Sequence, residues 1–157
     1  MIWSTLISYD LEKNGSRIAI GQPAPDFTLQ APNGREFRLG FYLGQPVLVH
    51  FFTTWCGPCE AEIPVLKSYY KTYTPSLALL AVDEGDRSKS VENYIAEHAL
   101  TFPVMLDPRL KVGRSFGITV YPTSVFINAR GEVAAIHIGT MESADFDYYL
   151  SQIGLLK

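Results

Sequence analysis

Thr53–Pro64 reads TTWCGPCEAEIP and holds both cysteines of the 157-residue chain, Cys56 and Cys59. A bond between them closes almost no loop, so under the chain-entropy account it stabilises little. Such a pair is suited to opening and closing rather than to stapling. Upstream, VLVHFF (47–52) is a short apolar, β-rich run that reads as a buried central strand. Downstream, a helix is expected from Gly57 to Tyr73. Cys56 then stands at a helix N-terminus, where free N–H groups and the macrodipole favour a thiolate. Cys59 lies one turn further in and is expected to be deeper. The asymmetry makes Cys56 the candidate attacking thiol and Cys59 the candidate resolving thiol. Gly57 lets a substrate backbone approach, and Pro58 is tolerated in a first turn whose N–H groups have no helical partner. Strand, CxxC and helix in this order form a redox motif.

Other uses of two cysteines fit poorly. A structural zinc site takes about four ligands, and the chain offers two cysteines and three scattered histidines. Covalent haem attachment needs a histidine directly after the second cysteine, where this chain has Glu60. No metal and no cofactor are therefore expected.

With 47% hydrophobic and 18% charged residues, the composition is that of a folded globular chain. A formal charge of −3 with scattered Lys and Arg carries no footprint for nucleic acid. No apolar run approaches the roughly 20 residues that cross a bilayer, so no membrane insertion is expected from the chain as it stands. The opening MIWSTLI lacks the basic start and apolar length of a secretory signal. Its Trp3, Leu6 and Ile7 are expected to dock as a short helix or strand. Residues 1–20 read as an N-terminal extension and 21–157 as one domain. A CxxC alone leaves the compartment open, because redox catalysts work on both sides of a membrane.

The remaining elements follow from pattern and punctuation. DFTLQAPNGREFRL alternates around Asn33-Gly34, a hairpin signal. Leu77–Val82 reads as a second buried strand ending in the acidic turn DEGD. Ser88–His98 reads as a helix with Ser88 as a cap and Val91, Tyr94 and Ile95 on one face. FPVML gives a short strand, and PRLKVGRSFG a helix opened by Pro108 and closed by Gly117. TSVFINARGEVAAIHIG forms a hairpin turning at Asn128–Gly131, and Glu142–Ile153 closes the chain as an amphipathic helix. The order β-β-β-α-β-α-β-α-β-β-α implies an α/β sandwich with a mixed sheet.

WCGPC with Pro64, followed by YPT at 121–123, resembles the thioredoxin superfamily from about Gly21 to the C-terminus. Within it, GQPAPDFTL, NGREFRL, GQPVLVHFFTTWCGPCEAEIPVL, FPVMLD and PTSVFINARGEV resemble the TlpA/ResA group of bacterial thiol–disulfide oxidoreductases, relatives of the AhpC/TSA redoxins. The resemblance implies a thioredoxin-like three-layer sandwich: a mixed central sheet, an N-terminal β-hairpin and an inserted βα unit between Cys59 and Pro122. It implies a cis Tyr121–Pro122 peptide beside the CxxC, with the Tyr121 backbone free to pair with an extended substrate segment. It also implies protein disulfide substrates, a thiol electron donor, a monomer, and work outside the cytoplasm that includes cytochrome c maturation. The Gly-Pro spacer implies a reducing bias.

Four features divide between chemistry and structure. Glu62 follows Cys59 by three residues and shares its helix face; it matches the CxxCxxE glutamate that the resemblance links to proton handling. Alternatively, Glu60 and Glu62 simply complement the helix dipole. His50 departs from the thioredoxin pattern, which places a buried aspartate there. It reads better as a neutral, hydrogen-bonded core residue than as a proton shuttle. Trp55 is expected to cover the disulfide and form a flat apolar docking surface with Tyr121 and Phe116. Asp83, Glu84 and Asp86 read as a solvated acidic loop.

The leading reading is a reductase of protein disulfides working through Cys56 and Cys59. A peroxiredoxin-like peroxidase is the enzymatic alternative, since APDFTL openings occur there too. Thr53 fits its PxxxTxxC motif, but Val49 occupies the proline position. A redox-inert binding module on the same scaffold is the other, although such modules usually lose a cysteine.

Overall fold

The computed structural model describes residues 18–155, so Trp3, Leu6 and Ile7 lie outside the described residues. Its strands are β1 (Thr28–Gln30), β2 (Glu36–Arg38), β3 (Val47–Phe52), β4 (Ala78–Glu84), β5 (Val104–Asp107), β6 (Thr123–Ile127) and β7 (Val133–Ile138). Its helices are α1 (Gly57–Tyr73), α2 (Ser88–His98), α3 (Lys111–Ser115) and α4 (Ser143–Gln152), and a 3-10 turn covers Leu39–Tyr42. The element order read from the sequence is the order observed.

All six residues of β3 are buried, because the strand is sandwiched on both faces. Leu48 and Phe52 join a core with Ile63 and Leu66 of α1, Val91 and Tyr94 of α2, and Phe146 and Leu150 of α4. Val47, Val49 and Phe51 point the other way, into a core with Phe27, Phe37, Val112 and Phe116. A six-residue strand with period-2 side chains thus holds two helical layers at once. The sheet runs β2-β1-β5-β4-β3-β6-β7. Strands β3, β4 and β5 are mutually parallel, and the antiparallel β6–β7 and β1–β2 pairs flank them.

This topology gathers one edge of the sheet. Strands β3, β4 and β5 all end there, and so does β7, while β6 begins there. The CxxC, Asp83–Asp86, Asp107, Tyr121–Pro122 and Gly139–Met141 therefore meet at one rim, the usual location for sites in sheets with parallel strands.

Several local expectations are corrected. Ser88 is the first helical residue, not the cap; Arg87 takes that place without a side-chain capping bond. The helix expected from Pro108 to Gly117 shrinks to Lys111–Ser115, since Leu110 at φ +58° and Gly117 at φ +69° both leave helical backbone. The second strand runs on through Asp83 and Glu84, and both side chains are buried. They are strand residues, not a solvated loop. Phe116 is also buried, packed on the rings of Phe27 and Phe51, and belongs to the core rather than to a docking surface.

Candidate active site

Cys56 caps α1: it is the N-cap residue, and its Sγ accepts the Cys59 N–H at 3.2 Å. That contact satisfies one of the helix's free donors with the sulfur itself. Cys56 and Cys59 are disulfide-bonded, with Cα atoms 5.2 Å apart. Cys56 retains 8% exposure and Cys59 1%, so the expected difference in depth is present. Gly57 is exposed, and a Cβ there would meet nothing within 4 Å. Pro58 falls in the first turn of the helix. Pro64 lies inside α1 and lacks an N–H, leaving the Glu60 carbonyl without its usual helical partner.

Trp55 is 73% exposed and stands edge-on to the half-buried Tyr121, with ring centroids 6.5 Å apart. The Tyr121–Pro122 peptide is cis, as the resemblance implied; Thr74–Pro75 is cis as well, which no sequence feature indicated. Tyr121 makes no backbone hydrogen bond to another described residue. Pro122 is held from behind by the Gly139 N–H, which donates to its carbonyl at 2.8 Å.

Glu62 is fully buried, and neither carboxyl oxygen has a hydrogen-bond partner among the described residues. Burial pushes its pKa up to about 7; the nearby Met141 amide opposes the shift without forming a well-made bond, and the Asp145 carboxylate adds to it. The acid therefore changes charge near neutrality, which helix-dipole decoration does not require. His50 lies behind it, its Nδ1 3.0 Å from Ser124 Oγ and 3.9 Å from a Glu62 oxygen. Burial holds the imidazole down to about 4. Both groups are thus driven toward their neutral forms, and the pair is not an ion pair at neutral pH. Cys59, His50, Phe52, Ile63 and Tyr94 line the small gap behind the disulfide.

These positions support the core reading of His50. Replacing it with Asn shortens the side chain and unpairs the Ser124 hydroxyl, so stability is expected to fall by about 1–3 kcal/mol. The pH profile of disulfide exchange should stay that of the wild type. Denaturant unfolding alongside exchange rates measures both; a flattened exchange profile at unchanged stability would assign His50 to the chemistry instead.

Three contacts escaped sequence reading, one of them by Asp86, which the sequence placed in a solvated loop. Asp86 accepts from both the N–H and the hydroxyl of Thr54, at 2.8 and 3.0 Å, tying the β4 turn to the residue before Trp55. The Thr140 hydroxyl donates to the Pro58 carbonyl at 3.1 Å. Ser124 partners His50. Each depends on a contact between distant strand ends. The pairing of Thr54 with Asp86 has only a weak local signal, an acid in the turn after a buried strand.

The sequence profile of the AhpC/TSA family matches residues 20–136. The chain belongs to the AhpC/TSA family. Among its relatives, this AhpC/TSA protein is 37% identical over 137 residues to thiol-disulfide oxidoreductase ResA of Geobacillus thermodenitrificans (strain NG80-2), covering 87% of this chain and 79% of that one. Against thiol-disulfide oxidoreductase ResA of Bacillus subtilis (strain 168) the identity is 34% over 133 residues, covering 83% and 74%. The crystal structure of a thiol:disulfide interchange protein of the thioredoxin family from Chlorobium tepidum TLS aligns with a TM-score of 0.77 at 31% identity, over 86% of this chain and 97% of that one. This AhpC/TSA member has the thioredoxin-like fold and is a thiol–disulfide oxidoreductase, with Cys56 and Cys59 at disulfide distance as its redox pair. Among the described residues no helix is long and apolar enough to cross a membrane, and no three His, Cys, Asp or Glu side chains are grouped to hold a metal.

Proposed function

We propose that the protein reduces disulfides in protein substrates, with Cys56 as nucleophile, Cys59 as resolving thiol and Glu62 as the acceptor of the Cys59 proton. The observation that carries this reading is the unpartnered, fully buried Glu62 carboxyl one turn beyond Cys59. The Cys56 thiolate attacks a substrate disulfide, forming one mixed disulfide and expelling one substrate thiolate. Cys59 loses its proton to Glu62 and attacks Cys56 Sγ, expelling the second substrate thiolate and leaving the Cys56–Cys59 disulfide. A dithiol donor returns two electrons and completes the cycle. The protein acts as a monomer, outside the cytoplasm, on thiols that include those of maturing c-type cytochromes. Trapping partners on Cys59→Ala tests these assignments, because stalled mixed disulfides identify substrate and compartment together.

The substrate face consists of Trp55, Gly57, Pro58, Tyr121 and Pro122. An extended segment pairs with the unengaged Tyr121 backbone while its disulfide reaches Cys56 over Gly57. Trp55 is mostly solvent-exposed, so Trp55→Ala should leave the melting temperature unchanged while raising KM for a protein disulfide about tenfold, the loss of an exposed aromatic contact. Steady-state insulin reduction measures this; an unchanged KM would remove Trp55 from the docking face.

A further inference from the structure

The oxidoreductase reading leaves the acids at the end of β4 unused. Glu84 is 5% exposed, and neither of its oxygens has a hydrogen-bond donor among the described residues. Its register partner across the parallel β4–β5 pair is Asp107, also buried, and both carboxyls crowd Gly113: Asp107 takes its N–H, and the Glu84 carboxyl fills the space a Cβ there would need. Asp107 is well supplied: its oxygens accept the N–H groups of Lys111 at 3.1 Å and Gly113 at 2.9 Å. Two adjacent buried carboxylates are strongly unfavourable, and one proton between them removes the conflict. Both Asp107 oxygens already hold amide donors and neither Glu84 oxygen holds one, so a shared proton belongs on Glu84. Glu84 must then be the acid that donates.

The pair is linked directly to the substrate face. Gly113 gives its N–H to Asp107 and takes the Ile118 N–H on its carbonyl at 2.8 Å. Ile118 opens the loop that reaches Tyr121 and Pro122. Gly113 has no room for a side chain, since a Cβ there would overlap the Glu84 carboxyl. Other charged groups that act on Glu84 are Asp83, its neighbour on the opposite face of β4, and Arg114 on α3, and Tyr121 in turn feels the charges of Glu84, Asp107, Asp83 and Asp86.

We propose that Glu84 is a positioning residue which, as a neutral acid hydrogen-bonded to Asp107, holds Gly113 and thereby sets the Ile118–Pro122 loop against the CxxC. Loss of the Glu84 proton to solvent leaves two facing carboxylates and releases that loop. Burial, with the Asp107 and Asp83 charges reinforcing it and Arg114 opposing it, pushes Glu84 up to about 9, so the bond is intact at neutral pH.

The inference rests on the reductase reading, and one experiment separates the two. Reduction of insulin and of the small disulfide 5,5′-dithiobis(2-nitrobenzoate) is followed from pH 7 to pH 10 for wild type, Glu84→Gln and Glu84→Leu. The Gln amide donates to Asp107 at every pH and cannot ionise. Glu84→Gln should therefore match wild type at pH 7. Above about pH 9 the wild-type KM for insulin should rise relative to Glu84→Gln by about tenfold per pH unit, as the neutral acid is depleted. Rates with the small disulfide should stay alike in the two proteins. Glu84→Leu, if folded, should show the raised insulin KM already at pH 7. Wild type and Glu84→Gln falling together, or a Glu84→Gln protein defective at pH 7, would overturn the proposal. So would a small-disulfide rate that falls with the insulin rate, since the pair would then act on the thiols. Absence of any reduction by wild type would instead sink the reductase reading.

Discussion

Cys56→Ser should reduce disulfide reduction to the uncatalysed background, while Cys59→Ser should attack substrate and then stall as a mixed disulfide. The residue types are identical, so the difference comes from position. Cys56 is the N-cap of α1, with the Cys59 N–H directed at its sulfur and the helix dipole behind it. Both favour the thiolate. Cys59 sits a turn deeper, where burial in apolar surroundings raises a thiol pKa. Alkylation of the reduced protein at mildly acidic pH should label Cys56 well before Cys59. Mass spectrometry of the labelled peptides decides the matter, and equal labelling would contradict the assignment of roles.

Glu62→Gln should keep the fold but slow exchange and flatten its pH dependence around neutrality. In the folded protein burial pushes the carboxyl up to about 7, from its ordinary 4.5. The folded state thus binds the extra proton between these values. The contribution of this group to stability should therefore be fully present below about pH 4.5 and be lost as pH rises toward 7, by up to about 3 kcal/mol. His50 acts in the opposite sense: its lowered pKa costs stability only as pH falls from about 6.5 toward 4. Because the contributions of His50, Asp83 and Glu84 are common to both proteins, denaturant midpoints across pH 4–8 should show wild type losing stability relative to Glu62→Gln between about pH 4.5 and 7. Removing the carboxylate also removes a negative charge near the thiols, so Cys56 should ionise more easily even as exchange slows. Loss of the proposed proton acceptor should dominate, because resolution by Cys59 would then lack a base. An exchange profile in Glu62→Gln that overlays wild type would remove Glu62 from the chemistry.

Much of the fold was legible because its signals are local. VLVHFF is apolar on both faces, and Asn33-Gly34 is a turn dipeptide at φ +86° on the glycine. The helix bounds Gly57–Tyr73 and Ser88–His98 coincide with the pattern read from the chain. The same local logic failed between Glu84 and Gly117. There DEGD looks like a solvated turn and PRLKVGRSFG like a full helix. Pairing of β4 with β5 draws Asp83 and Glu84 into the sheet, and Leu110 adopts left-handed backbone that truncates the helix.

For the site, the sequence by itself determined the redox pair and the candidacy of Cys56 as attacking thiol and of Glu62 as proton acceptor, since all three depend on spacing within one strand–helix junction. Only the tertiary structure decided the environments. Whether Glu62 is a dipole partner or a buried acid depends on the Met141–Asp145 segment, more than seventy positions away, closing over it. His50 is a core residue because Ser124, across the β3–β6 pair, supplies its partner. Glu84 meets Asp107, and Thr54 meets Asp86, only when strand ends are brought to one rim. Spacing sets which atoms a helix turn presents. Dielectric and hydrogen-bond supply, which set what those atoms do, come from residues the chain delivers from elsewhere.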